Sequence, residues 1–258
     1  MPRITSRDNP RLKEAGRLIN SARDRRKAGR CVLEGAHVVA AYRARHGPPE
    51  TLIIAESALD QPEMAALRAG VAESRTLIVS ERAWSDLAQI PSDIAVIAVV
   101  PTPQSTFRSA SDFCLLLEDV QDPGNVGALV RSAAAFDFSG VLLSDKCADP
   151  FGPKAVQASA GTILSVWVRK TKEFHTRLRE LADNGYYCVA ADIRGTEMLR
   201  KGGTPRFVLV LGNEGSGLSA EGLQCAHSVM RIPINTAKAE SLNVAAGGAV
   251  CMFALTGM

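Results

Sequence analysis

The sequence predicts an α/β protein of two parts, the second built on a parallel sheet. Short apolar runs alternate with helical patterns along most of the 258 residues. In the second part the runs become nearly continuous, which is typical of strands buried on both faces of a parallel sheet. Two prolines in PTPQST indicate a linker. We therefore predict a domain at 1–100, a linker at 101–110 and a second domain at 111–258.

Composition is that of an ordinary globular chain. Hydrophobic residues make up 46% and charged residues 22%, and no apolar run approaches the roughly 20 residues of a membrane-spanning helix. The N-terminus lacks the apolar core of a signal peptide, so we expect a cytoplasmic protein. The six cysteines lie far apart without a CxxC pair, which predicts buried reduced thiols and no metal site.

Basic charge is concentrated at the N-terminus. Residues 1–30 contain ten Lys/Arg and three Asp/Glu, whereas the whole chain has a formal net charge of only +3. This asymmetry is typical of an arm that binds a polyanion, although a solvated helix face has the same composition.

The first part is predicted to be a helix followed by a small α/β unit. The helix covers 4–28, with Ser6 or Asp8 as its cap and Gly29 as its stop. Strands follow at 31–34, 51–56, 76–80 and 94–100. Helices separate them at 36–46, 61–70 and 81–89.

The second part is predicted to alternate strands and helices. Its strands are CLLLEDV, GVLLS, SVWV, YYCVAA, RFVLVLG and MRIPI. Its helices lie near 125–136, 153–160 and 172–183. Asn184 and Gly185 end the last of these helices as a C-cap pair.

Polar groups gather at three strand ends, the first in LEDVQDPGNVGALVRSAAAF, residues 117–136. A helix opens near Asn125, and its apolar residues form a stripe from which Arg131 is displaced by about 150°. Arg131 is therefore either a ligand contact or an ordinary surface arginine. A dinucleotide site is poorly supported, because only G-x-x-G is present where G-x-G-x-x-G is needed.

The second constellation is VLVLGNEGSGLS, residues 208–219. Glycine-rich loops after strands usually surround phosphates, yet this loop contains the carboxylate Glu214. Either the loop binds something other than a phosphate, or the glycines only form a turn.

The third constellation is RIPINTAKAESLNVAAGGAVCMFAL, residues 231–255. An uncharged helix is predicted to begin near Ser241, and Gly247 and Gly248 within it require close packing. All its faces are apolar, so we expect burial in a core or a subunit interface. The main stripe is predicted to be Leu242, Ala245, Ala246, Ala249, Val250 and Phe253.

In this order and spacing, GNVGALVR, LGNEGSGLS and IPI…SLNVA resemble the three signature motifs of the SpoU-type (TrmH-type) RNA ribose 2′-O-methyltransferases of the SPOUT superfamily. The resemblance covers 111–258, and ITSRDNPRLK…CVLEGAHVV is similar to the L30e-like substrate-binding domain of many members. It implies a parallel sheet with a C-terminal trefoil knot, which general topology rules would have rejected. It also implies a homodimer through the SPOUT domain, with catalytic residues at the interface.

The resemblance further implies S-adenosyl-L-methionine as the cofactor. Its positive sulfonium removes the difficulty of a carboxylate in the glycine loop. The loop NTAKAE lacks the glycine that is common there, which affects the expected cofactor contacts. Those contacts fall on Gly212, Asn213, Gly215, Ile232 and Leu242. The catalytic set falls on Asn125, Arg131, Glu214, Ser241 and Asn243.

The expected function is methylation of a ribose 2′-hydroxyl in structured RNA, with 23S ribosomal RNA favoured over transfer RNA. DNA is not expected as a partner, because it lacks this hydroxyl. A non-catalytic RNA-binding or ribosome-assembly protein is the alternative. The basic arm is expected to contact RNA through Arg7, Asn9, Arg11, Arg25, Arg26 and Lys27.

The role of Arg131 has two interpretations. The resemblance implies a base, but a guanidinium with a pKa above about 12 is hard to deprotonate. A bidentate clamp on the neighbouring phosphate suits its chemistry better. The three motifs contain no histidine, so Glu214 and Ser241 are the other candidates for activating the hydroxyl.

Overall fold

The computed structural model describes residues 3–85, 87, 94–103, 113–197 and 206–257. Its elements up to residue 103 are β1 (Arg3–Ile4), α1 (Pro10–Asn20), α2 (Ala22–Ala28), β2 (Arg30–Glu34), α3 (Ala36–His46), β3 (Thr51–Ala55), α4 (Pro62–Arg68), β4 (Thr76–Val79), α5 (Glu81–Ser85) and β5 (Val96–Pro101). Those after residue 112 are β6 (Phe113–Leu117), α6 (Pro123–Ala135), β7 (Gly140–Ser144), α7 (Pro153–Ala158), β8 (Trp167–Thr171), α8 (Phe174–Asp183), β9 (Tyr187–Glu197), β10 (Phe207–Leu211), α9 (Ala220–Gln224), β11 (Ser228–Arg231) and α10 (Val244–Thr256). None of the helices in these described ranges is long and apolar enough to cross a bilayer.

The chain divides into two compact units. Residues 1–103 with 151–164 form the first, and 104–150 with 165–258 form the second. Helix α7 therefore groups with the first unit, where it packs on β2. The predicted linker at 101–110 stays a prediction, because most of it lies outside the described residues. Of the helix predicted at 81–89, most of the part after α5 also lies outside them.

The first unit is built on a mixed five-stranded sheet in the order β1-β4-β3-β5-β2. Strand β5 runs antiparallel to both of its neighbours, and the other pairs are parallel. Leu12 and Leu18 of α1 pack with Ile53, Leu77 and Ile97 of the sheet in one buried cluster. The predicted small α/β unit has this architecture.

The predicted single helix at 4–28 is wrong in extent. The chain begins with β1, and two helices follow that are separated at Ser21, whose backbone is extended. The Ser21 hydroxyl accepts a hydrogen bond from the Asp24 N–H (3.1 Å) and caps α2, while Asn9 caps α1. The predicted stop at Gly29 is confirmed, since this residue is left-handed with φ of 62°.

The second unit is built on six parallel strands in the order β11-β9-β10-β6-β7-β8. The central strands β6 and β10 pair in register from Phe113 with Phe207 to Leu117 with Leu211, and β10 is buried along its whole length. The parallel sheet predicted from the continuous apolar runs is confirmed. The trefoil knot stays a prediction.

Strands β6 and β10 form the switch point of this sheet. From β6 the chain proceeds outward through β7 to β8, whereas β9 and β11 lie on the other side of β10. Ligands of parallel sheets bind at the carboxyl ends of the strands where the order reverses. Here α6 follows β6 and the loop 212–219 follows β10, so the first two motifs meet at this crevice.

Helix α10 buries one face within the chain and leaves part of the stripe identified from the sequence exposed. It begins at Val244, and its buried residues are Gly248, Cys251, Met252, Leu255 and Thr256. In the predicted stripe Val250 is 40% exposed and Phe253 is 55% exposed. Burial of the remaining faces, in a core or a subunit interface, stays a prediction, because every face of this helix is apolar and hydrophobicity alone gives it no direction.

Gly248 allows α10 to pack closely on its neighbours. A Cβ atom at this position would lie 2.7 Å from Leu211 Cδ1 and would also collide with Leu129 Cδ2. These side chains belong to β10 and α6, so the absence of a side chain brings the helix against both elements. The close packing expected at the glycine pair is present at Gly248.

Glu34 is a buried carboxyl group at the end of β2. Glu34 is 7% exposed, and its Oε1 atom has no hydrogen-bond partner among the residues that the structure describes. Burial raises the pKa of Glu34 from its ordinary value of 4.5 to about 7. The unfolded chain therefore releases this proton at lower pH than the folded protein does. As a result, Glu34 lowers the free energy of unfolding by a growing amount as the pH rises from 4.5 towards 7.

Replacing this group tests its effect on stability. Glu34→Gln is expected to raise the free energy of unfolding by about 1–2 kcal/mol at pH 8, because no buried charge remains, and to change it little at pH 4.5. Urea unfolding at both pH values measures this difference. Glu63→Gln, at an exposed position, is the control. An equal effect of Glu34→Gln at both pH values would contradict the expectation.

Candidate active site

Asn125 is the point at which three loops meet. It lies in the first turn of α6, where the capping side chain of Asp122 accepts a hydrogen bond from its N–H (3.0 Å). Its side-chain amide donates to Glu214 Oε1 (3.0 Å), and its side-chain oxygen accepts from the Asn243 amide (3.0 Å). These residues follow β6, β10 and β11, so one amide joins all three motifs.

The Glu214 carboxylate binds the start of α6. It accepts hydrogen bonds from the backbone N–H groups of Gln121 (3.2 Å) and Asp122 (3.2 Å), besides that from Asn125. Partial burial by itself raises the pKa of Glu214, but these hydrogen bonds outweigh it, and the pKa lies below its ordinary value. The group is therefore an ionised carboxylate near neutral pH, and it acts as the anion held by a helix N-terminus.

Asn213 organises the glycine loop from within. Its side-chain oxygen accepts from the N–H groups of Gly215 (2.9 Å) and Ser216 (3.0 Å) and from the Ser216 hydroxyl (3.1 Å). Its side-chain amide donates to the Asp119 carbonyl (2.9 Å). The side chain of Asn213 is thus engaged inside the protein, where it fixes the shape of the loop.

Gly212 is required by the loop itself. Asn213 and Gly217 exchange two backbone hydrogen bonds of 3.0 Å, so the loop doubles back on its own start. A Cβ atom on Gly212 would collide with the backbone of Gly217 and Leu218. By contrast, a Cβ atom on Gly215 would meet only Asn213 Oδ1, at 3.6 Å. Open space for a ligand therefore lies at Gly215, whereas the space at Gly212 is filled by the loop.

Asn243 caps α10 as well as binding Asn125. Its side-chain oxygen accepts from the N–H groups of Ala245 (2.9 Å) and Ala246 (3.3 Å). The helix thus begins three residues later than predicted, with Ser241 and Leu242 in the preceding loop. One asparagine both starts the helix and fixes it to α6.

Ile232 and Leu242 lie on either side of Gly247. A Cβ atom on Gly247 would be 3.5 Å from Ile232 Cδ1 and 3.9 Å from Leu242 Cβ. Leu242 is 42% exposed and Ile232 is partly exposed. The two residues form an apolar edge beside the first turns of α10.

Arg131 and Ser241 do not join the cluster of Asn125, Glu214 and Asn243 within one chain. Arg131 is exposed on α6, six residues and therefore about 9 Å along the helix from Asn125. Within the described ranges its guanidinium has neither a hydrogen bond nor an ion pair. Ser241 is exposed in the loop before α10. The structure thus brings together three of the five predicted catalytic residues.

An ion pair outside the three motifs binds the C-terminal end of the glycine loop. The Arg194 guanidinium binds both oxygens of Asp192 (2.6 and 2.8 Å) and donates to the Leu218 carbonyl (3.1 Å). The hydrogen bond from the Arg194 side chain lowers the pKa of Asp192. Alternation along β9 places the two side chains on one face, and this was the available sequence signal.

A second polar group holds the residue that ends the loop. Glu118 follows β6 and is buried, and it accepts from both the N–H (3.1 Å) and the hydroxyl (2.6 Å) of Ser219. His175 of α8 bonds the same carboxylate (2.7 Å) although it lies 57 residues away in sequence. No local sequence pattern predicts a contact between residues that are so far apart in the chain.

Three of the predicted RNA contacts have structural partners in the first unit. The Arg25 side chain is buried and donates to the carbonyls of Leu18 (2.5 Å) and Ile19 (2.9 Å) at the end of α1. Asn9 caps the start of α1, and Arg11 donates to the Ser74 carbonyl (2.6 Å). We withdraw Arg25 from the expected RNA contacts because its guanidinium is inside the protein.

The other three predicted RNA contacts face water. The exposed residues are Arg7, Arg26 and Lys27. Arg17 of α1 and Arg23 of α2 are exposed as well. Arg26 makes a long hydrogen bond to the Ala22 carbonyl (3.4 Å).

Family models match both parts of the chain. A model of the SpoU rRNA Methylase family matches residues 112–253. A model of the MRM3-like substrate binding domain matches residues 9–99.

Two curated relatives are similar over nearly the whole chain. The 23S rRNA (guanosine(2553)-2′-O)-methyltransferase RlmP of Bacillus subtilis is 26% identical over 258 residues, which is 100% of both chains. An uncharacterized tRNA/rRNA methyltransferase of Synechocystis is 28% identical and covers 97% of this chain and 92% of the relative.

Solved structures have the same fold. The AdoMet-bound rRNA methyltransferase of Sinorhizobium meliloti superposes with a TM-score of 0.80 at 26% identity, covering 97% of this chain and 95% of the other. The SpoU methyltransferase AviRb of Streptomyces viridochromogenes, in complex with AdoMet, gives 0.83 at 23% identity over 96% and 97%.

Proposed function

The chain belongs to the SpoU rRNA Methylase family, and we propose that it transfers the methyl group of S-adenosylmethionine to a ribose 2′-hydroxyl of 23S ribosomal RNA. The observation that carries this proposal is the junction of Asn125, Glu214 and Asn243 at the switch point of the parallel sheet. It joins the three motifs that the family resemblance singled out. The proposed RNA substrate implies a cytoplasmic enzyme.

Ribosomal RNA is favoured by the nature of the relatives. RlmP, which is similar over the full chain, is by name a 23S rRNA 2′-O-methyltransferase. The Synechocystis relative is named for both tRNA and rRNA, so transfer RNA is the alternative substrate. Both substrates carry the hydroxyl that DNA lacks.

The glycine loop suits a cation better than a phosphate. Phosphate-binding loops present free backbone N–H groups to the anion. Here the N–H groups of Asn213, Gly215, Ser216 and Gly217 are bonded inside the loop. The N–H groups of Gln121 and Asp122, just before α6, are occupied by the ionised Glu214, and that of Asn125 is occupied by Asp122. These residues fit S-adenosylmethionine, which carries a positive sulfonium and no phosphate.

The cofactor would be held mainly by backbone and apolar groups. Gly215 offers open space, the backbone of Asn213 is adjacent to it, and Ile232 and Leu242 supply an apolar edge. When bound, S-adenosylmethionine supplies an electrophilic methyl group. The protein's part is to hold this group and the ribose in line and to exclude water between them.

Arg131 is suited to hold the RNA. Its exposed guanidinium has no partner within the described ranges, so it is available for a bidentate contact with the phosphate next to the target ribose. A guanidinium there can also stabilise negative charge that develops on the 2′-oxygen. Either role requires its planar, forked shape.

Changing Arg131 tests the catalytic assignment. Arg131→Ala and Arg131→Lys are both expected to lower methyl transfer by about 100-fold or more, because lysine lacks the planar fork. S-adenosylmethionine affinity should remain within about twofold. Transfer of a tritiated methyl group to ribosomal RNA measures the rate, and calorimetry measures the affinity. Near wild-type turnover of Arg131→Ala would mean that Arg131 is an ordinary surface arginine. A wild-type protein that binds RNA without methylating it would favour the non-catalytic alternative.

A homodimer through α10 would complete the site. Val250 and Phe253 of α10, and Leu242 just before it, are exposed large apolar residues, and the Phe253 ring lies 6.1 Å from that of Phe136, which follows α6. Such a face is typical of a subunit interface. The separation of Arg131 from the cluster within one chain also supports a site assembled from two chains.

Disrupting this face tests the dimer. Phe253→Glu is expected to convert the protein to monomers, because a charge replaces an apolar contact at the centre of the interface. Analytical ultracentrifugation measures the mass. Ile193→Glu, at an exposed apolar residue of β9, is the matched control and should leave the mass unchanged. A dimer that persists in the Phe253 variant, or a monomeric wild type, would refute the proposed interface.

The exposed basic residues of the N-terminal arm, residues 1–30, would bind the RNA backbone. The triple change of Arg7, Arg26 and Lys27 to alanine is expected to reduce the salt dependence of RNA binding. Each lost phosphate contact lowers the magnitude of the slope of log K against log salt by roughly 0.7–0.9, so three lost contacts lower it by about 2 to 3. Filter binding over a range of salt concentrations measures the slope.

A matched variant separates this effect from net charge. It replaces three exposed arginines outside the arm, and S-adenosylmethionine affinity is expected to stay constant in both triple variants. Equal slopes for the two would show that the arm makes no special contact. The control positions are Arg45, Arg75 and Arg82.

A further inference from the structure

A cavity of about 320 Å³ lies between α8 and the face of the sheet formed by β6, β7 and β8. The lining residues that the structure describes all belong to the second unit. Cys114, Leu116 and Leu142 form an apolar wall on the sheet, and Leu181 lines the cavity from α8. Ligand sites in proteins have volumes of roughly 300–1,000 Å³ and are mainly apolar with a few polar groups. The cavity has the size and the lining of such a site.

Trp167 supplies an aromatic ring beside this apolar wall. It pairs in register with Gly140 of β7, and a Cβ atom on Gly140 would lie 2.6 Å from Trp167 Cε3. The indole therefore occupies the space above the neighbouring strand that a side chain would otherwise fill. Trp167 lines the cavity and is partly exposed, so a ligand in the cavity can stack on the indole.

Arg169 supplies positive charge on the same face of β8. Residues two apart in a strand point to the same side, so its side chain starts about 6–7 Å from that of Trp167. Arg169 is exposed, and its guanidinium has neither a hydrogen bond nor an ion pair with any residue that the structure describes. Arg177, which lines the cavity from α8, is by contrast paired with Glu173 and Glu180. The guanidinium of Arg169 is therefore available to an anion.

Two further side chains of the lining offer hydrogen bonds. The Asn184 amide donates to the Glu180 carbonyl (2.6 Å), and its side-chain oxygen can still accept. Thr171 Oγ1 accepts from the Glu173 N–H (3.0 Å), so the hydroxyl can still donate. An aromatic ring, an available guanidinium, an acceptor and a donor thus surround one apolar cavity.

We propose that this cavity binds one unpaired nucleotide of the RNA substrate, with its base stacked on Trp167 and a phosphate bound by Arg169. Stacking of bases on aromatic rings, combined with cationic contacts to the backbone, is how proteins bind single-stranded RNA. The base has to be unpaired, because a base inside a duplex is stacked on its neighbours. The inference rests on the proposed function, since that function makes RNA the partner.

The bound nucleotide is a different one from the methylated nucleotide. Strand β8 is the third strand from β10, which corresponds to about 14 Å across the sheet. Trp167 is also the first residue of β8, roughly 13 Å along the strand from its carboxyl end. The crevice that holds the three motifs lies at the carboxyl ends of β6 and β10. The cavity is therefore a second contact that helps to select and orient the RNA.

Tryptophan fluorescence tests the proposal directly. The chain has two tryptophans, so Trp84→Phe leaves Trp167 as the sole indole. Hexa-adenylate RNA added to this full-length variant is expected to quench the fluorescence, because a base stacks on the ring. In the same background, Arg169→Ala should raise the Kd of the RNA roughly threefold to tenfold. It should also lower the magnitude of the slope of log K against log salt by about 0.7.

A matched variant separates the cavity from general surface charge. Lys172→Ala removes one exposed positive charge next to β8, at a residue that is not among those lining the cavity, and it should change the Kd far less. In the methyl-transfer assay, Arg169→Ala should raise the KM for ribosomal RNA and leave kcat unchanged. The phosphate contact is the same before and during the transfer, so its loss weakens uniform binding alone.

The outcomes distinguish this proposal from the proposed function. Absence of quenching, or equal losses of affinity in Arg169→Ala and Lys172→Ala, overturns the nucleotide site, while methylation of ribosomal RNA by the same protein would keep the proposed function. Equal affinity for adenosine monophosphate and hexa-adenylate would indicate a site for free nucleotides and also overturn the proposal. Quenching by hexa-adenylate in a protein that transfers no methyl group would support the cavity and overturn the proposed function.

Discussion

The hydrogen bonds of Asn125 to Glu214 and Asn243 are the interaction on which the rest of the site depends. An amide side chain donates and accepts at once, so it can join a carboxylate on one loop to a second amide on another. Glu214 in turn accepts hydrogen bonds from the N–H groups of Gln121 and Asp122 just before α6, and Asn243 accepts those of the first turn of α10. The ends of two helices and a glycine loop are therefore fixed by one chain of polar contacts.

The glycine loop is held at both ends as well as within. Asp119 binds Asn213 at its start, while Arg194 and Glu118 bind Leu218 and Ser219 at its end. A loop arranged in this way loses its conformational freedom during folding rather than on ligand binding. Such preorganisation lowers the entropic cost of association.

The sheets could be predicted from sequence, because buried parallel strands leave continuous apolar runs such as 208–211. Asn125, Glu214 and Asn243 could be named because the family resemblance fixes their positions. The buried face of α10 could not, since a helix apolar on all sides contains no directional signal. The contact of His175 with Glu118 joins positions 57 residues apart, and only the fold brings them together.

The internal use of N–H groups by the glycine loop affects how the protein distinguishes metabolites that share an adenosine group. Adenosine triphosphate and S-adenosylmethionine differ mainly in the charge that follows the ribose. A triphosphate entering here would encounter the ionised Glu214, and it would find the N–H groups of Gly215 and Ser216 already bonded to Asn213. Its binding would require breaking those bonds, whereas a sulfonium leaves them in place. Charge and engaged amides at this loop would therefore select against nucleotides.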